Sequence, residues 1–185
     1  MKVGLLGLQG AFRDHIRHLS VLGVDYTVVK SPEQLGLIDR LIIPGGESTV
    51  MRKYLEYFLI EKPLRRLVAE GMPVWGICAG SILLAETVNG ADGAICALPV
   101  NAERNAYGRQ MESSIAEIDI HLLQRKNFPA YFIRAPRLRP KGNRLQIHSI
   151  FGTDPVFVQH GSVMATTFHP ELTDDPVFHD YFLQL

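Results

Sequence analysis

The sequence predicts an α/β fold: a single three-layer domain over residues 1–185, built on a mostly parallel open sheet with antiparallel additions. Three observations predict it. Short, nearly continuous apolar runs, KVGLLGL (2–8), RLIIPGG (40–46) and MPVWGI (72–77), read as strands covered on both faces. These runs alternate with segments whose apolar residues recur at helical spacing. From residue 113 onward, strand-like runs follow one another through short connections, which suits hairpins beside the main sheet.

In chain order, the first strand leads into GAFRDHIRHLSVLG, where Phe12, Ile16, Leu19 and Leu22 fall at helical spacing and Gly23 is a stop signal. On that spacing His15 and His18 face solvent. VDYTVVK (24–30) is β-branched and strand-like, and 40–46 is a buried strand ending in a glycine turn. Helices are expected at about 48–58 and 61–70, a third parallel strand at 72–77, and a helix over SILLAETV (81–88). SSIAEIDI (113–120), AYFIRAP (130–136), LQIHSIF (145–151), PVFVQHG (155–161) and VMATTFH (163–169) are the later strands. DPVFHDYFLQL closes the chain as an amphipathic helix. No repeat, low-complexity segment or interdomain linker interrupts this pattern.

Composition excludes several classes. The chain is 46% hydrophobic and 21% charged, with nineteen basic residues against nineteen acidic ones. A net charge of zero gives no electrostatic footprint for nucleic acid or an anionic membrane. No apolar run reaches the ~18–20 residues that span a bilayer. The N-terminus lacks the basic region and cleavage site of a signal peptide. Cys78 and Cys96 make no disulfide framework, so a cytoplasmic setting is expected, with Cys96 a buried spectator.

The chemistry centres on GICAG (76–80). A nucleophile flanked by glycines at minus two and plus two lets a strand turn sharply into a helix, because the turn crowds any Cβ at those positions. At the start of a helix, unpaired amides and the dipole favour a thiolate. A small buried thiol between two unrelated glycines explains the same five residues.

A cysteine nucleophile needs a base. Of seven histidines, His169 in TTFHPEL ends an apolar strand, is biased towards extended backbone by Pro170, and has Glu171 two residues on. In extended chain i and i+2 point the same way, so the carboxylate can orient the imidazole. The third motif is IIPGGEST (42–49), where two glycines after a buried strand expose amides at its carboxyl end. Those amides suit a substrate or an oxyanion; a capping turn accounts for them equally.

GICAG, IIPGGEST and FHPEL, in this order, resemble the class I (triad) glutamine amidotransferases. With LQGAFRDH, RNAYGRQ (104–110), FIRAP (132–136) and TTFHPELTDD (167–175), nearly the whole chain resembles the glutaminase subunits of pyridoxal 5'-phosphate synthase. The resemblance implies a flavodoxin-like class I amidotransferase architecture and a glutaminase reaction. Cys78 attacks the carboxamide of L-glutamine, His169 is acid and base, and Glu171 orients it. It further implies glutamine binding by Gly46, Glu47, Ser48, Arg104, Ile133 and Arg134, and oxyanion donation by the amides of Gly46 and Ala79. It calls for no metal and no cofactor, pyridoxal phosphate being a product of the assembly. The implied partner is a separate (β/α)8-barrel synthase subunit that takes the ammonia. MESS (111–114) and Val177 depart from the family pattern. Three rivals are a glutaminase serving another acceptor, such as imidazole-glycerol-phosphate synthase, a DJ-1-like cysteine hydrolase, and a non-enzymatic binding or regulatory module with a dead site, against which the intact Cys78, His169 and Glu171 weigh. RNAYGRQ and FIRAP argue against the first, HPE beside a GG turn against the second.

Overall fold

A computed structural model describes residues 1–104 and 113–185. All of RNAYGRQ but Arg104, and the first half of MESS, lie outside the described residues. The chain opens with β1 (Lys2–Leu6), α1 (Asp14–Val21), β2 (Asp25–Val29) and β3 (Arg40–Ile43), with a 3-10 turn over Pro32–Leu37. Then come α2 (Ser48–Tyr57), α3 (Glu61–Ala69), β4 (Val74–Ile77) and α4 (Ala79–Leu84), followed by β5 (Ala85–Val88), β6 (Ala91–Asp92) and β7 (Leu98–Glu103). The rest comprises β8 (Ser113–Ile120), β9 (Arg125–Ile133), β10 (Arg137–Pro140), β11 (Gln146–Phe151), β12 (Asp154–His160), β13 (Val163–Thr166) and α5 (Val177–Leu183).

Among the described residues the main sheet has seven strands in the order β11-β12-β13-β4-β3-β1-β2. The five from β13 to β2 are parallel, and β12 and β11 extend that edge antiparallel. A second sheet, β10-β7-β5-β6, and the hairpin β8-β9 flank it. The expected parallel sheet with antiparallel additions is therefore what forms.

Two apolar layers cover the sheet because side chains alternate along each strand. Leu41, Ile43, Val74, Val163 and Ala165 pack on one side with Met51, Leu55, Leu64 and Leu84 of α2, α3 and α4. Ile42, Trp75, Ile77 and Met164 pack on the other with Leu19 of α1 and Phe178 and Phe182 of α5. β4 lies between β3 and β13, so the loops leaving all three open side by side at the carboxyl edge. Open α/β sheets bind ligands at this edge.

Six expectations change. Helix α1 begins at Asp14 rather than near Gly10, because Gly10 turns at φ +97° against the Gly45 carbonyl, where a Cβ would lie 2.0 Å from the oxygen. His15, His18 and Leu19 share one stripe at i, i+3 and i+4, and that stripe is the buried one, so the two histidines face the core and not solvent. The helix after the cysteine ends at Leu84, and Ala85–Val88 becomes β5 because it pairs with β6 and β7. The expected strand 130–136 breaks at Arg134 (φ +46°), between β9 and β10, and 163–169 is extended only to Thr166. Cys96 is half-buried rather than buried.

Candidate active site

The elbow at Cys78 follows from its glycines. Gly76 sits in β4 between Ile43 of β3 and Ala165 of β13. A Cβ on Gly76 would come within 2.7 Å of the Gly80 backbone, and one on Gly80 within 2.1 Å of the Ile43 carbonyl oxygen. Helix α4 can thus start directly off β4 only when both positions lack a side chain. Cys78 itself takes φ +48°, ψ −100°, a costly conformation for a non-glycine residue. It is pinned by its amide donating to the Thr166 carbonyl (2.8 Å) and by the Ser81 hydroxyl donating to its own carbonyl (2.6 Å). The thiol lies 3.6 Å from the Ile133 carbonyl oxygen.

His169 enters from the loop after β13, its amide donating to the Tyr131 carbonyl (2.9 Å). Its Nδ1 is 2.7 Å from Oε1 of Glu171, and its Nε2 has no hydrogen-bond partner among the described residues. The pairing does not arise from extended chain, as the spacing suggested. Pro170–Leu172 is a 3-10 turn, and the turn folds the carboxylate back under the ring. Burial pushes the His169 pKa down, but the Cys78 thiol and the Glu171 carboxylate outweigh it and raise it to about 10. Burial likewise pushes the Glu171 carboxyl up, and the His169 hydrogen bond and His15 reverse it, leaving the pKa below the ordinary carboxylate value. An imidazolium beside the sulfur is the partner a thiolate needs.

The loop after β3 supplies the facing wall. The Gly45 carbonyl accepts from the Ala11 amide (3.0 Å), and the Glu47 amide donates to Oε1 of Gln9 (2.9 Å). Gly45 also lies against the base: a Cβ there would sit 2.4 Å from Cε1 of His169. The Glu47 side chain caps α2, accepting from the amides of Thr49 (3.2 Å) and Val50 (2.9 Å) and from the Thr49 hydroxyl. Arg104 reaches Glu47 at 3.2 Å. The Thr49 hydroxyl, above all, holds the Glu47 carboxyl below the ordinary carboxylate range, with the two amides and Arg104 adding to it.

A cavity of about 220 Å³ joins these walls. Cys78, Ala79, His169, Gly46, Glu47 and Ser48 line it, together with Arg104, Ile133 and Arg134. Every residue expected at the site lines it except Glu171, which lies buried behind His169. Arg134, like Cys78, has positive φ. Gly45 of the glycine pair also lines the cavity, as do Ala11, Ile82 and Pro136, and Gln9 fixes its loop, these last four not named as site residues from the sequence. LQGAFRDH carried that signal, since its glycine turn is what meets the Gly45 carbonyl.

A strand-turn-helix cysteine with a buried His–Glu pair, on a flavodoxin-like sheet, defines the class I amidotransferase architecture. A solved glutamine amidotransferase superposes with TM-score 0.92 at 40% identity, covering 98% of this chain and 97% of that one. A second, from Thermotoga maritima, shares the fold at TM-score 0.66 and 12% identity, over all of this chain and 83% of that one. The chain belongs to the SNO glutamine amidotransferase family, which it matches over residues 5–185. It is 45% identical over 186 aligned positions to pyridoxal 5'-phosphate synthase subunit PdxT of Thermotoga petrophila, covering all of this chain and 99% of the relative. The subunit of the same name from Dictyoglomus turgidum is 43% identical over all of this chain and 98% of its own. Among the described residues no helix is long and apolar enough to cross a membrane.

Proposed function

We propose that the chain, acting as one amidotransferase domain over residues 1–185, hydrolyses L-glutamine to L-glutamate and ammonia, and that the ammonia serves pyridoxal 5'-phosphate synthesis. The observation that carries this is the convergence of Cys78, His169 and the Gly45–Ser48 loop on one cavity, with Glu171 bonded behind the imidazole. Sγ of Cys78 attacks the carboxamide carbon, and the amides of Gly46 and Ala79 stabilise the oxyanion. His169 gives its Nε2 proton to the leaving nitrogen, so ammonia departs and a γ-glutamyl thioester remains. His169 then takes a proton from water, which attacks the thioester; glutamate leaves and the thiol is restored. Glu171 holds the imidazole in one orientation throughout. Gly46, Glu47, Ser48, Arg104, Ile133 and Arg134 bind the glutamine.

The partner in this reading is a (β/α)8-barrel synthase subunit, and the setting is the cytoplasm. Support comes from the relatives named as subunits of that synthase and from two cysteines that are both unpaired. Glutamate release is measured with and without the synthase, for the wild-type chain and Cys78→Ala. Loss of turnover in the variant with retained synthase binding is expected; substantial residual turnover overturns the nucleophile.

A further inference from the structure

Beneath the triad lie three histidines that the proposed reaction does not use. His15 and His18 of α1 and His179 of α5 are buried, and His15 and His179 both pack edge-on against Trp75. His15 Nδ1 is 2.9 Å from His179 Nε2, and the His18 and His179 rings stack at 4.3 Å. Helix α1 also grips the turn that carries the triad acid. Arg17 Nη2 donates to the carbonyls of Glu171 (2.9 Å) and Thr173 (2.5 Å), and His18 Nε2 lies 3.2 Å from the Glu171 carbonyl.

Three buried polar atoms in this cluster have no hydrogen-bond partner among the described residues: His15 Nε2, His179 Nδ1 and Oε2 of Glu171. Glu171 uses Oε1 for His169, so Oε2 is its free oxygen. Of the charges acting on His15, the Glu171 carboxylate has the largest effect, opposing the burial that otherwise keeps the ring neutral. A neutral imidazole carries one N–H. His179 engages Nδ1, which leaves Nε2 as the ring nitrogen free to carry the N–H in the field of the Glu171 carboxylate, and the proton is assigned there. His15 Nδ1 then accepts, and His179 Nε2–H donates.

Resting on the triad reading above, we infer that His15, its tautomer set by His179, is a positioning residue for the triad acid: its Nε2–H dipole, without a formed hydrogen bond, steadies the Glu171 oxygen that His169 leaves free. Sequence spacing alone placed His15 on the solvent side, so this function has no counterpart in the motif-based reading.

Two polar, similarly sized substitutions separate positioning from packing. His15→Gln keeps an amide donor near the Nε2 position, whereas His15→Asn reaches only to Nδ1. The full-length chain is compared by the pH titration of the His169 imidazole in NMR spectra and by glutamine turnover with the synthase, with Glu171→Gln as control. His15→Asn is expected to lower kcat by roughly tenfold or more with KM changed less than about twofold, the mark of an interaction used in the transition state. It should also move the His169 titration downward, as Glu171→Gln does. His15→Gln should stay within about threefold of wild type in kcat. Equal behaviour of the two variants, or a change confined to KM, overturns the inference. If Glu171→Gln itself leaves the His169 titration in place, the triad reading fails, and this inference with it.

Discussion

Two buried histidines flank Glu171 and are tuned in opposite directions. His169 is raised to about 10 and His15 is lowered to about 4. Both are pushed down by burial, so the difference lies in their partners. His169 bonds directly to the carboxylate through Nδ1 and has the Cys78 thiol as its other neighbour, two groups that favour the imidazolium. His15 bonds to another neutral imidazole and is enclosed by Trp75, and the charge of Glu171 only partly offsets its desolvation. One acid thus lies between a charged imidazole on the cavity side and a neutral one on the core side. Burial lowers both rings, and whether the partners of each outweigh that desolvation decides its charge.

Removing the shared acid breaks the contrast most severely. Glu171→Gln is expected to lower kcat by roughly 10²–10⁴-fold with little change in KM, since the orienting group serves chemistry more than binding. Steady-state glutamine hydrolysis tests this, and a rate near wild type would contradict the triad.

The two shifts also predict opposite limbs of a stability profile. A lowered pKa stabilises the fold fully above the unfolded value of 6.5, and that stability drains away as pH falls towards about 4. For His15 the change is on the order of 3 kcal/mol, at ~1.4 kcal/mol per pH unit. A raised pKa acts in reverse: the His169 contribution is complete below 6.5 and is lost as pH rises through about 10. Urea unfolding at acid, neutral and alkaline pH should show the acid limb flattened in His15→Gln and the alkaline limb flattened in His169→Gln. Parallel profiles for the two variants would refute the assignment.

Gly45→Ala should disturb only the cavity-side histidine, because its Cβ would overlap Cε1 of His169. Misplacing a catalytic group by about 1 Å can cost ~10²-fold, so kcat is expected to fall by roughly 10–10²-fold while thermal stability changes little. A large loss of stability with intact kcat in the remaining folded protein would go against this. The smallest effect is expected from Arg17→Ala, which removes a partly exposed grip on the Glu171 and Thr173 carbonyls. About 1–2 kcal/mol of unfolding free energy is at stake, most of it from those two bonds. The Arg17–Asp174 pair is exposed and adds little.

The elbow at Cys78 was legible in the chain because its constraints are local. Gly76 and Gly80 are needed by contacts within one strand-turn-helix unit and its neighbouring strand, and the pattern of glycines records that need. Glu171 was legible as a partner of His169, yet for a reason the structure replaces: a 3-10 turn, not an extended strand, brings it to Nδ1. The core-side histidines were misread because they share a stripe with Leu19, and what packs on that stripe, Trp75 of β4 and His179 of α5, comes from distant parts of the chain. Likewise β5 looked helical, since pairing with β7 is invisible to periodicity.

The sequence by itself determined the parallel α/β sheet, the elbow at Cys78 and the residues that meet at the cavity. These follow from hydrophobic period, from the absence of a Cβ at the glycines and from proximity along the chain. Only the tertiary structure decided which of two buried histidines is charged and how Glu171 is held. Those depend on partners from α1, α5 and the loop after β13, which are brought together by packing across the sheet and which no local pattern encodes.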